Sequence, residues 1–346
     1  MAELEECEFF RKISTDKRLM MKKNYLLLFL TFVLVGCQNE MDVSKQNKDQ
    51  TQSDIQEEVE IAENTNIPAS LLNEISQQIS VPIEDITEGD LLKVKSINIT
   101  SQNNDDVSAL SEMKNLESLY VSAPIDISSI SELNNLKYLY LMNMNYPITK
   151  FDFLTSHEQL NTLDIQNSGI EDLKEFPTLK KLESLSLVNN QVQDLAPIEN
   201  LTSLEVLDIT NNQITSLSPL ENLMNLHSLS LDNNPIKDAT PIGKLSSLLF
   251  LSINGIPIDS IEFVQELNKL ERLQISDTEV SDLSSLVNLK SLSYLDIRNT
   301  NVTSIKALRE LESLHILLLN KDKVKDWKSL ENKAGLRISE TVILAE

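Results

Sequence analysis

Leu204-Glu205-Val206-Leu207-Asp208-Ile209-Thr210-Asn211-Asn212-Gln213-Ile214-Thr215-Ser216-Leu217-Ser218-Pro219-Leu220-Glu221-Asn222-Leu223 is the stretch from which the fold follows. Its apolar positions recur along the chain in one phrase. Copies begin at Val94, Leu116, Leu136, Leu160, Leu182, Leu204, Leu226, Leu248, Leu270, Leu292 and Leu314. The spacing is 22 residues, except 20 after Leu116 and 24 after Leu136. In all eleven copies the first, fourth and sixth positions are Leu, Ile or Val, a regularity that a chain 41% hydrophobic would not reach by chance. Alternation with period two at the start of each copy predicts a short strand with one side turned inward. No copy can bury that side alone, so stability must come from stacking on its neighbours. Each Leu or Ile so buried contributes roughly 1.5–3 kcal/mol.

This is the leucine-rich-repeat signature, one strand and a short return per unit, and it predicts an α/β solenoid. The 22-residue form, with the phrasing Asn-Asn-Gln-Ile-Thr-Ser-Leu-Ser-Pro-Leu at 211–220, resembles the internalin type over about residues 67–335. The resemblance implies a horseshoe with a concave parallel β-sheet and convex 3-10 segments. It also implies a structural ladder at Asn190, Asn212 and Asn234, whose amides would bond the backbone groups that a bending chain leaves unpaired. Ser168, Thr278, Thr300 and Asp322 stand at the equivalent position and offer partial bonding, whereas Met144 and Ile256 offer none. The ladder is therefore expected to be strongest in the middle copies.

The repeats are read as 94–335. Residues 67–93 precede them, and Pro68-Ala69-Ser70-Leu71-Leu72-Asn73-Glu74-Ile75 reads as a helix start, with a second short helical stretch after Glu84. This segment is similar to the helical cap of the internalin type, which closes the open core of the first repeat. Leu336 falls on the twelfth anchor, and 336–346 are expected to form a partial carboxy-terminal cap.

The amino-terminal side carries a different message. Basic Lys22 and Lys23 are followed by an apolar run, Tyr25 to Val35, and then by Gly36-Cys37, so 21–36 read as a secretory signal. The run is too short to span a bilayer, which needs about 20 apolar residues. Leu34-Val35-Gly36-Cys37 resembles the lipobox of bacterial lipoproteins, which implies that Cys37 is diacylated on sulfur and becomes the new amino terminus. Two acyl chains give stable anchoring where one does not. Residues 1–20, with Glu3, Glu5, Glu6 and Glu8, are unlike a signal's basic start. They are either a stretch ahead of the true initiator, for which Met20-Met21 is a natural choice, or a long leader extension. Residues 37–66 are polar and charged with few apolar positions, and read as a flexible tether.

The net charge of -23 repels phosphate backbones and anionic bilayers, so no nucleic-acid partner is expected. The two cysteines, Cys7 and Cys37, both precede the repeats, so no disulfide framework holds the fold. No catalytic constellation, phosphate loop or metal-ligand spacing is read, and no enzyme activity, cofactor or metal is expected. His227 and His315 follow the repeat period, and His157 sits at a normally apolar position of the irregular unit. Asp164, Asp208, Asp232 and Asp296 are spread over distant strands and read as solvated charges.

Function is expected on the solvent side of the strands. Four of the five tyrosines beyond residue 37 fall there, at Tyr120, Tyr138, Tyr140 and Tyr294, with Tyr146 in the enlarged loop nearby. Tyr120, Tyr138, Tyr140 and Met142 form one candidate partner-binding group, and Phe250, Arg272, Tyr294 and Arg298 a second, with Ile316 and Leu318 beyond. Tyr and Arg dominate interface hot spots. Against this stands the plainer reading that aromatic residues stiffen the sheet by cross-strand packing. The expectation is a monomeric surface lipoprotein, anchored on the outer side of the cytoplasmic membrane, that binds a protein partner of a host or of a bacterial surface. The resemblance departs from the internalin pattern after the repeats, where no immunoglobulin-like segment or wall-sorting signal is read. The alternative is an envelope-resident scaffold or regulator that binds a bacterial protein or cell-wall glycan.

Overall fold

The structure is a computed structural model, and it describes residues 69–100, 108–122, 125–144 and 146–341. The signal, Cys37 and the tether lie outside the described residues, as do 1–20. The described residues divide into two compact units at the Val192–Gln193 peptide.

The first unit begins with helix α1 (Ala69–Ile79), which buries Leu71, Leu72 and Ile75 on one side. Strands β1 (Ser96–Ile99), β2 (Ser118–Val121), β3 (Tyr138–Met142), β4 (Thr162–Gln166) and β5 (Ser184–Ser186) follow. They pair in chain order, each parallel to the next. The register sets Ser118 opposite Tyr138 and Tyr138 opposite Thr162, so the 20- and 24-residue copies both keep the strand in step. The extra length is absorbed in the return segments.

The second unit repeats the scheme with β6 (Val206–Asp208), β7 (Ser228–Ser230), β8 (Phe250–Ser252), β9 (Arg272–Gln274), β10 (Tyr294–Asp296), β11 (Ile316–Leu318) and β12 (Arg337–Ser339). Consecutive strands again pair parallel, in chain order. In both units the returns carry short 3-10 turns, among them Ile127–Glu132, Asp152–Leu154, Ala196–Ile198, Ser218–Leu220 and Thr240–Lys244. Pro197, Pro219 and Pro241 enter the first turn of three of them, where a fixed φ is already helical and the missing N–H is not needed. Both units are leucine-rich-repeat solenoids.

The strand alternation is realised as the sequence requires. Leu119, Leu139, Leu163 and Leu185 form one fully buried row of the first unit, and Leu207, Leu229, Leu251, Leu273, Leu295 and Leu317 one of the second. The last copy differs from expectation. Ile338, not Ser339, pairs with Leu317, which makes Gly335 the anchor and leaves Leu336 only half-buried. The final spacing is therefore one residue short of the repeat, and the stretch expected as a partial cap contributes a twelfth strand.

The asparagine ladder lies inside, with Asn190, Asn212 and Asn234 all buried. The Asn190 carbonyl oxygen accepts from the backbone N–H groups of Ser168 (3.2 Å) and Ile170 (3.0 Å). Its amide donates to the carbonyls of Ile165 (2.8 Å), Leu187 (3.0 Å) and Val188 (3.3 Å). Asn234 repeats the pattern with Ile214, Ile209, Leu231 and Asp232. Thr278 and Thr300 keep one bond of this kind, from their hydroxyls to Ile275 and Ile297, and Met144 and Ile256 fill the position with buried apolar volume. Asp322 is exposed and takes no part.

A second ladder stands one residue earlier. Asn143, Asn167, Asn189, Asn211, Asn233, Asp277 and Asn299 all have φ between 48° and 58°, and Gly255 takes the same place at 67°. Asn and Asp are the non-glycine residues that tolerate this left-handed region best. Several of these side chains join across repeats: Asn167 donates to Asn143 (2.7 Å), Asn233 to Asn211 (2.7 Å) and Asn299 to Asp277 (3.0 Å). A methyl group on Gly255 would stand 2.4 Å from the Asn233 carbonyl oxygen, so that copy needs the smaller residue.

Helix α1 also closes the first strand. Gln78 accepts from the N–H groups of Lys95 (2.6 Å) and Ser96 (3.2 Å) and donates to the Ser96 carbonyl (2.7 Å), while Glu74 accepts from the N–H of Asn98 (3.0 Å). One turn apart on the helix, the two side chains satisfy four backbone groups along the edge of β1, groups that an exposed edge would leave open to pairing. Burial pushes the Glu74 carboxyl above its ordinary range, opposed by the Asn98 bond.

Candidate functional site

In the first unit the residues singled out from sequence come together on the outward side of β2 and β3. Tyr120 lies directly across from Tyr140, and Tyr140 from Asp164. The Tyr120 and Tyr140 rings stand 6.2 Å apart, tilted by 40°, a spacing at which aromatic pairs attract by about 0.5–1.5 kcal/mol. The Tyr120 hydroxyl donates to the Met142 sulfur at 3.4 Å. Tyr138 is the outermost member, 40% exposed, and Tyr146 in the following loop is exposed as well. Burial, with the charge of Asp164 behind it, pushes the Tyr140 hydroxyl up to about 12, so it remains a neutral donor at any physiological pH.

Not every expected contact is open. Tyr120 is 6% exposed, Met142 9% and Tyr294 7%. The alternation places them correctly on the outward side, but parallel strands stand only about 4.8 Å apart, and bulky neighbours cover one another. The same crowding hides Thr162, Asp164, Ser184 and Ser186. Tyr138 alone among the four strand tyrosines is exposed, and Tyr140 is half-buried. Tyr120 and Tyr140, in the same unit, lie beside it.

In the second unit Phe250, Arg272 and Tyr294 lie side by side across β8, β9 and β10. The Arg272 guanidinium sits 4.3 Å from the centre of the Tyr294 ring and 5.9 Å from that of Phe250. Arg298 instead pairs with Asp296, its Nε donating to both carboxylate oxygens at 2.9 and 3.1 Å. Asp208 and Asp232 are not fully solvated, contrary to expectation. Burial and the neighbouring Asp232 charge raise Asp208 to about 6, even though the Thr210 N–H donates to it (3.0 Å). Asp232 is also raised by burial, against bonds from Ser252 (2.7 Å) and Asn254 (2.7 Å). His157 is sealed in the first unit, and burial depresses its pKa, which keeps the ring neutral.

Two signals were available in sequence and went unread. The first Asn of the doublets at 189–190, 211–212 and 233–234 announces the second ladder. Glu74 and Gln78, at helical spacing on a segment otherwise chosen for its apolar side, announce the closure of β1.

The comparisons with known proteins fit this geometry. Residues 180–222 match the family described as leucine-rich repeats in two copies. No curated protein sequence is a significant match. Among solved structures, an internalin of Listeria monocytogenes matches with a TM-score of 0.67 and 26% identity, covering 82% of this chain and 97% of the internalin. The described residues carry a leucine-rich-repeat fold similar to that of the internalins. Internalin C2 of the same organism (22% identity, TM-score 0.50, 75% of this chain and 96% of that one) and a leucine-rich-repeat protein of Leptospira interrogans (20%, 0.58, 72% and 73%) share the fold. Proteins of the internalin type bind protein partners and are generally interaction scaffolds rather than enzymes.

Proposed function

We propose that this chain is a lipid-anchored bacterial surface protein that holds a protein partner against the outward side of its strands, with the β2–β3 tyrosines as a principal contact. The observation that carries the reading is Tyr138, a large aromatic side chain 40% exposed on a strand, backed by two further tyrosines already packed in place. Aromatic anchors give most binding energy where little conformational freedom remains to be lost. Replacing Tyr138 and Tyr140 together by Ala should weaken partner binding roughly tenfold or more, as hot-spot truncations do. Far-UV circular dichroism should keep the native strand signal. Pull-downs from host cells and from the producer's own envelope supply the partner and separate a host receptor from a resident envelope target. Affinity unchanged in the double variant would retire the site.

The anchor is proposed from Cys37 and the residues before it. Cys37→Ala should abolish incorporation of labelled palmitate and move the chain from the membrane fraction to the soluble one. Persistent labelling of that variant would remove Cys37 from the proposal, and with it the location on the outer side of the cytoplasmic membrane.

A further inference from the structure

Arg272 holds a positive charge that no carboxylate answers among the described residues. Its Nε is shielded from solvent and has no hydrogen-bond partner. Its guanidinium carbon lies over the rings of Tyr294 and Phe250, 4.3 and 5.9 Å from their centres. One strand over, Arg298 shows what the chain does elsewhere, closing a two-oxygen contact with Asp296. Keeping a cation partly out of water without a counter-charge is costly, and arginine cannot escape the cost by losing its proton. Burial duly pulls the Arg272 guanidinium below its ordinary value, with Tyr294 opposing. The N–H donors of a guanidinium lie along the edge of its plane. That edge matches the two oxygens of a carboxylate.

We infer that Arg272 is a preformed recognition site for the carboxylate of one Asp or Glu side chain on the protein partner. The inference rests on the proposal that the strand side binds a protein. The surroundings select the class of ligand. Phe250 and Tyr294 flank the guanidinium, and Ile316 lies one strand beyond Tyr294, an apolar surround suited to a polypeptide that brings one acid among uncharged residues. Asp208 on β6 and Asp232 just after β7 repel a continuous polyanion such as nucleic acid or a sulfated glycan. The same charges orient the ligand, with its acid over β9 and any basic residue towards β6 and β7.

The test is a selection of displayed random peptides on the purified full chain, followed by affinity measurement on the tightest binders. They should share an Asp or Glu. Changing that residue to Asn or Gln should cost roughly tenfold to a hundredfold on the native protein, the range for a charge-assisted bond, and twofold or less on Arg272→Gln. Arg272→Lys, which keeps the charge but not the planar fork, should fall between. It also supplies the same cycle if hydrogen exchange shows β9 loosened in Arg272→Gln. Peptides that protect β8–β10 from exchange, yet show an equal acid effect on both proteins or none, would overturn the carboxylate site and leave strand-side docking standing. Failure of every peptide to protect a strand would overturn both.

Discussion

Asn190→Ala is expected to lower the free energy of unfolding by about 3–5 kcal/mol, because several buried backbone groups lose their partner at once and each costs about 1–3 kcal/mol. Two N–H donors, from Ser168 and Ile170, and three carbonyls, from Ile165, Leu187 and Val188, converge on this one amide. The site is 7% exposed, so water replaces few of these bonds. The groups belong to two successive repeats, so the loss falls on the contact between them, the term on which a solenoid depends. A urea titration followed by circular dichroism measures the change. A shift below about 1 kcal/mol, the worth of a single ordinary hydrogen bond, would show that the backbone repairs itself without the amide.

Phe151→Ala should cost a similar amount, about 3–5 kcal/mol for removing a large ring from a packed interior. Phe151 is 1% exposed and meets the Phe176 ring edge-on, 5.1 Å between centres. It opens the 3-10 turn Asp152–Leu154 and accepts the Leu154 N–H on its own carbonyl. This is the return segment of the 24-residue copy, where the ring supplies volume that the regular copies fill with smaller side chains. Phe151→Leu keeps most of that volume and should cost well under half as much. Thermal unfolding of the two variants side by side decides the matter, and equal midpoints would deny the ring its part in packing.

The strands and their spacing were legible because inward positions obey a single rule: a residue facing the shared core must be apolar. Leu119, Leu207 and their equivalents therefore repeat almost without variation, and the register follows from them. The outward side obeys no such rule. Alternation told which side Tyr120, Met142 and Tyr294 would take, but not that their neighbours would cover them, since crowding depends on residues some twenty positions away in the chain. The same limit hid the Arg272 stack, whose three members lie 22 residues apart. Leu336 misled for a related reason: with the core ending there, a one-residue slip costs little, and the pairing chose Ile338 opposite Leu317. Asn190 and Asn234 were placed correctly because their role is set inside one repeat and its neighbour.

Glu74 and Gln78 act as a false strand, and that has a consequence for self-association. A parallel sheet invites polymerisation, since a second molecule can continue the hydrogen-bonded series wherever a rim is bare. With Lys95, Ser96 and Asn98 already answered from α1, no incoming chain can add itself ahead of β1 without first prising the helix away. Continuation of the hydrogen-bonded series ahead of the first layer thereby carries the cost of breaking these bonds.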